Sequence, residues 1–189
     1  MRIVAGRYGG RRLAHPPRRG VRPTADRVRE ALFSILGDAV AGRPFVDLCA
    51  GTGAVGLEAL SRGAEPVVLV ERARGALAVL RRNLELLGVL EDPAIRVSGE
   101  DVGRWLRGPE PREVGPAGVV FLDPPWDEDR RLAGWLALLP GCGLLDGDSL
   151  VIVEHRAARQ PVLPAGLVPA WSRRYGDTGL LAARPAAGR

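Results

Sequence analysis

The chain of 189 residues contains no lysine, and all 27 of its basic residues are arginine. Cysteine and histidine are nearly as scarce: Cys49, Cys142, His15 and His155 are the whole supply. Scattered singly, they give neither a disulfide framework nor a Cys/His cluster with metal spacing. The cysteines read as small core residues of a cytoplasmic protein kept in a reducing environment. No hydrophobic run approaches the roughly 20 residues of a membrane span. The opening MRIVAGRYGGRRL is basic with no apolar stretch behind it, so no signal peptide is expected.

Charge is present but unevenly placed. Residues 1–30 carry nine arginines against Asp26 and Glu30, for a net charge of +7, while the remainder is net −2. A near-neutral body with a basic head suggests a dedicated polyanion-binding surface. Arginine pairs bidentately with phosphate and stacks on bases, which suits RNA. Arg7, Arg11, Arg12, Arg22, Thr24, Arg27 and Arg29 are the candidate RNA-binding residues. Thr24 also reads as a helix N-cap, and Arg27 or Arg29 is alternatively a structural partner for a carboxylate.

Residues 2–14 read as a short β-hairpin and HPPRRGVRP as an irregular basic linker. The following TADRVREALFSILGDAV reads as a helix with an apolar stripe of Val28, Ala31, Leu32, Ile35 and Leu36. From Phe45 strands and helices alternate: FVDLCA, PVVLVE, AIRV, GVVFLD and SLVIVEH are short apolar strands. The end, LVPAWSRRYGDTGLLAA, reads as two further strands joined near GDTG. RGPEPREVGPAG and PVLPAGLVP read as loops. This alternation predicts an α/β fold, a doubly wound and mostly parallel sheet with an antiparallel hairpin at its edge. Residues 1–22 form the basic hairpin and linker, 23–184 the main domain and 185–189 a tail. Nothing in residues 1–22 is needed to build a sheet that begins at Phe45, so deleting residues 1–15 is expected to leave a folded domain.

Between the first strand and its helix lies DLCAGTGAVGLEAL, with Gly51-x-Gly53-x-x-Gly56. Glu71 ends the second strand, 18 residues past Gly53. Strand, glycine turn, helix and distal acid together match a nucleotide-cofactor site. Asp47 decides which nucleotide. An acid four residues before Gly51 would repel a pyrophosphate, whereas S-adenosylmethionine has no phosphate and carries an ammonium and a sulfonium. The expected donor-binding residues are Asp47, Ala50, Gly51, Thr52, Gly53, Glu71 for the ribose hydroxyls and Asp101 for the adenine amino group.

The fourth strand stops at FLDPPW, residues 121–126. In a doubly wound sheet this end faces the glycine turn. An exocyclic base amine is a poor nucleophile, because its lone pair is delocalised into the ring. Acceptors on its two hydrogens would pyramidalise it and aim it at a methyl donor. Asp123 supplies one acceptor and the Pro124 carbonyl the other. Pro124 and Pro125 fix the corner, and Trp126 offers a face for an extruded base. An ionised carboxylate only accepts, which suits the N1–H and N2 amine of guanine.

These segments resemble the RsmD family of bacterial 16S ribosomal RNA guanine-N2 methyltransferases. The likeness runs through RIVAGRYGGRRL, RPTADRVREALFSIL, VDLCAGTGAVGLEALSRGA, FLDPPW and YGDTGL, in that order. It implies a class I Rossmann-like methyltransferase with seven strands and an N-terminal β-hairpin. It also implies S-adenosylmethionine as donor and a guanine N2 of 16S ribosomal RNA, in an assembling small subunit, as target. The family more often has Phe or Tyr where Trp126 stands. Two other readings are an adenine-N6 or protein-glutamine methyltransferase, which share the D/N-P-P-aromatic corner, and a non-catalytic RNA-binding assembly protein.

Overall fold

The computed structural model describes residues 1–15, 26–126 and 128–187. Its centre is one seven-stranded sheet. The strands are β1 (Phe45–Leu48), β2 (Val67–Val70), β3 (Ile95–Ser98), β4 (Val119–Leu122), β5 (Leu150–Arg156), β6 (Leu167–Tyr175) and β7 (Thr178–Pro185). They lie in the order β3-β2-β1-β4-β5-β7-β6. The first five are parallel, and β7 runs antiparallel between β5 and β6. The expected terminal hairpin therefore closes the sheet, with β6 outermost. Among the described residues, no helix is long and apolar enough to cross a membrane.

Strands β1, β2 and β4 are buried at every position, which is why their sequences are continuous apolar runs rather than alternating ones. The described residues also form α1 (Asp26–Leu36), α2 (Ala54–Ser61), α3 (Arg74–Leu87), α4 (Val102–Trp105), α5 (Glu110–Val114) and α6 (Asp129–Leu138). One core lies between the sheet and α1, α2 and α3. The other lies on the opposite face, against α4 and α6. After β1 the chain builds outward through β2 and β3, then returns to lay β4 on the other side of β1. The C-terminal ends of β1 and β4 thus flank the reversal, where open α/β sheets place their ligands.

Three local readings are corrected. RGPEPREVGPAG holds a helical turn, α5, with proline in its first turn, where a missing N–H costs nothing. On α1, Ile35 is 39% exposed, and the buried stripe instead includes Arg29 and Phe33. The third correction concerns the head. Residues 2–14 form a minimal hairpin, bridged at Arg2 and Arg12, with Ile3 N–H donating to Arg11 O at 2.9 Å. It is not an appendage, because Ile3, Tyr8 and Leu13 are buried in the core under α1–α3.

The hairpin also completes the end of α2. Arg7 N–H donates to the Ser61 carbonyl at 2.7 Å and Tyr8 N–H to Ser61 Oγ at 2.9 Å, satisfying groups a helix terminus leaves open. Gly6 makes this approach possible: a Cβ there would stand 1.9 Å from Ser61 O. Buried Glu58 accepts from Val4 N at 2.7 Å, Ala5 N at 3.1 Å and Arg62 Nε at 2.8 Å. Buried Arg29 lies 3.7 Å from the same carboxylate and donates to Arg2 O at 2.5 Å.

Candidate active site

The glycine turn follows β1 directly. Its backbone passes through left-handed φ at Cys49 (83°), Gly51 (56°) and Gly53 (80°). Cys49 and Ala50 both donate to Val70 O, at 3.0 and 2.9 Å, so the turn is anchored to the end of β2. Gly56, the third glycine of the motif, packs α2 on the sheet: a Cβ there would lie 2.2 Å from Leu69 Cδ2. Beyond the turn is a cavity of about 440 Å³, large enough for a nucleoside-sized ligand.

The lining is acidic. Among the described residues, seven carboxylate residues (Asp47, Glu71, Glu100, Asp101, Asp123, Glu128 and Glu154) line the cavity with a single arginine, Arg72. Such a cavity repels a pyrophosphate. It suits a molecule that carries positive charge and hydroxyl donors, as S-adenosylmethionine does. The residues present therefore fit that group.

Each expected donor-binding residue has a definite place. Ala50, Gly51 and Thr52 line the cavity, while Gly53 turns beneath it against Leu57 and Leu80. Glu71 accepts from Gly51 N at 2.8 Å and Ala73 N at 2.7 Å, splinting the turn and leaving lone pairs for a diol. Asp47 is buried and accepts from Gly56 N at 3.0 Å. Burial pushes its carboxyl up to about 8, the Gly56 bond opposes this, and the nearby charges of Asp123 and Glu71 add to it. Near neutral pH it is thus mostly protonated. Asp101 caps α4, its Oδ1 accepting from Gly103 N at 3.0 Å and Arg104 N at 3.3 Å, while its Oδ2 pairs with Arg131. The carboxylate expected to meet the adenine amino group is thus already engaged in a cap and an ion pair.

Asp123, Pro124, Pro125 and Trp126 line the same cavity as the glycine turn, so the topology brings the two motifs together. Trp126 is half-buried and carries the Arg156 guanidinium 4.9 Å from its ring centroid. The basic residues are placed elsewhere. Arg7, Arg11 and Arg12 are exposed on the hairpin, outside the cavity lining. Arg7 is 4.0 Å from Asp92, and Arg11 donates to Leu86 O at 2.5 Å. Arg27 is exposed on α1. Arg29 is fully buried and takes the structural alternative, as partner of Glu58 and Asp26. Arg22 and Thr24 lie outside the described residues.

Sequence reasoning missed several residues. Glu154 lies near the C-terminal end of β5, two residues before its last, and the logic of an acid toward a strand's C-terminal end would have found it. Arg72, Glu128 and Arg131 form an ion-pair chain that reaches Asp101 along the cavity rim. Asn83, fully buried on α3, donates to Thr52 O at 2.9 Å and Ala14 O at 3.2 Å and accepts from Ala14 N at 2.6 Å. It joins hairpin to glycine turn, and an asparagine inside a helix gave no signal of this.

Comparison with known proteins adds an independent line. A family model described as "Conserved hypothetical protein 95" matches residues 1–183. "Ribosomal RNA small subunit methyltransferase D" of Escherichia coli K12 is 36% identical over 168 residues, covering 87% of this chain and 80% of that protein. The protein of the same name from Haemophilus influenzae is 36% identical over 164 residues, covering 87% and 83%. A solved hypothetical protein of Thermus thermophilus superposes with a TM-score of 0.78 at 32% identity, covering 97% of this chain and 99% of that one.

Proposed function

The chain belongs to the conserved hypothetical protein 95 family, the RsmD family its motifs resemble, and from that premise we propose that it methylates the exocyclic N2 of a guanine in small-subunit ribosomal RNA. The donor is S-adenosylmethionine, which supplies a methyl group activated on a sulfonium. The observation that carries the reading is that Asp123-Pro124-Pro125-Trp126 and the Gly51 turn share one acid-lined cavity.

Each residue's part follows from its place. The glycine turn gives close backbone approach to the donor, Glu71 accepts from its ribose hydroxyls, and Asp101 faces its adenine end. Asp47 ionises when a positive charge comes near, and so favours the cationic donor. Asp123 and the Pro124 carbonyl accept the two amine hydrogens of the target base and draw its nitrogen out of the ring plane. Trp126 already serves as a stacking platform for Arg156, a platform an extruded base can share or take. The exposed Arg7, Arg11, Arg12 and Arg27 contact phosphates and position the RNA without touching the reaction.

The test is transfer of a labelled methyl group onto unmodified small subunits and onto naked 16S ribosomal RNA, followed by nucleoside analysis. N2-methylguanosine is the expected product. N6-methyladenosine would move the chain to the other amine-methylating group. Label found only in protein, or no transfer to either substrate, would sink the proposal.

A further inference from the structure

Glu154 has no part in the account so far, although it occupies a defined position. In the β4–β5 ladder Phe121 pairs with Ile152 and Leu122 with Val153. Continuing that register by one residue sets Glu154 beside Asp123. Neighbouring strands lie about 4.8 Å apart, and alternation puts both side chains on the face that carries Asp47 and Phe121. Glu154 is 5% exposed, and its backbone is clamped on the other side by β7, opposite Leu180. It lines the main cavity together with Asp123. It also lines a small adjoining recess bounded by Pro124, Trp126 and Arg156. Its backbone is thus held between two strands, and the residue borders both the cavity that Asp123 lines and the recess beside Trp126.

A guanine presents three donors along one edge: the two N2 hydrogens and N1–H. During methyl transfer the N2 hydrogens must leave the ring plane, whereas N1–H stays in it. A single carboxylate gripping N1–H and one N2 hydrogen together would hold the amine flat and oppose the reaction. Two carboxylates on adjacent strands separate the tasks. We propose that Glu154 reads the target base, its carboxylate accepting the N1–H of guanine while Asp123 and the Pro124 carbonyl hold the amine. Adenine offered with its N6 amine in the same corner would turn the N1 lone pair toward an acceptor, so Glu154 excludes it. The inference rests on the guanine-N2 reading above.

The experiment uses 2-aminopurine, which keeps the N2 amine but has a lone pair in place of N1–H. Small subunits are assembled with 16S RNA that carries guanine or 2-aminopurine at the nucleotide the wild-type enzyme modifies. Wild type should prefer guanine by about 10- to 100-fold in kcat/KM, the range for a hydrogen bond to a charged group. Glu154→Gln, whose amide can donate to N1, should bring the two substrates within about 3-fold of each other, a ratio that any common loss of donor affinity leaves unmoved. Glu154→Asp should turn over more slowly and keep the preference. Equal use of both bases by wild type would overturn the proposal without recourse to any variant. So would an unchanged ratio in Glu154→Gln, or a ratio relaxed by Asp123→Asn instead. Failure of wild type to form any N2-methylguanosine would sink the functional reading itself, which is a separate result.

Discussion

On the proposed function, Asp123→Ala removes one charged acceptor from the amine and nothing from the donor's ribose or adenine contacts. A hydrogen bond to a charged group contributes roughly 2–3 kcal/mol, so turnover should fall about 30- to 150-fold while S-adenosylmethionine affinity stays within a few-fold. Single-turnover kinetics beside calorimetric donor titration would check this, and turnover near wild type would refute the role. Asp47 gives a pH prediction. Its folded-state value, about 8, lies above the ordinary 3.8. The folded state therefore holds a proton that the unfolded chain releases. Its stabilising contribution is complete below about pH 4 and is lost as pH rises through about 8. The stability of the ligand-free wild type relative to Asp47→Asn should decline across that window and level off above it, as followed by denaturant melts. The sequence supplied the position and charge type of Asp47. It could not supply its protonation, which depends on burial and on Asp123 and Glu71 arriving from other strands.

Elements divide into those whose signal is local and those whose signal is tertiary. The strands were legible because helices on both faces demand uninterrupted apolar runs, and Phe45–Leu48, Val67–Val70 and Val119–Leu122 have them. The glycine turn and the DPPW corner were legible because each is a backbone requirement written in Gly or Pro. Helix α5 was hidden by its own prolines, and the orientation of α1 by Arg29, which patterning assigns to solvent. Arg29 is buried only because the hairpin brings Arg2 O and α2 brings Glu58 to meet it. This reverses the expectation for residues 1–15. Deleting them exposes the sites of Ile3 and Leu13, about 1.5–3 kcal/mol each. It also strips backbone donors from buried Glu58, and breaking a buried ionic group costs about 3–5 kcal/mol. Against a typical total stability of about 5–15 kcal/mol, the truncated chain should not fold stably. Arg29→Ala alone should lower stability by about 3–5 kcal/mol in a reversible melt. A truncated protein melting like the full chain would show that the hairpin's contacts contribute little.

Across the described residues, charge is segregated: acids line the cavity assigned to the donor in the proposed function, and exposed arginines are presented on the head and α1. Binding and chemistry should separate accordingly. Arg12→Ala should reduce the slope of log affinity against log salt by about 0.7–0.9, the counterion release of one phosphate contact, and leave donor affinity unchanged. Filter binding of unmodified small subunits across a salt series measures it, and an undiminished slope would mean Arg12 meets no phosphate. Arg29, although part of the same basic stretch, should leave the slope of the folded fraction alone because it cannot reach RNA. The sheet's outer margin has a different consequence. Strand β6 is exposed along most of its length and borders no further strand in the sheet. An open edge of this kind invites pairing with another chain. Here Pro169 has no N–H to offer, the ladder is broken by a bulge between Pro169 and Trp171, and Arg173 and Arg174 crowd the far half with like charge. The strand that completes the sheet is thereby a poor template for an eighth, and the chain is guarded against fibre-like self-association at its most open margin.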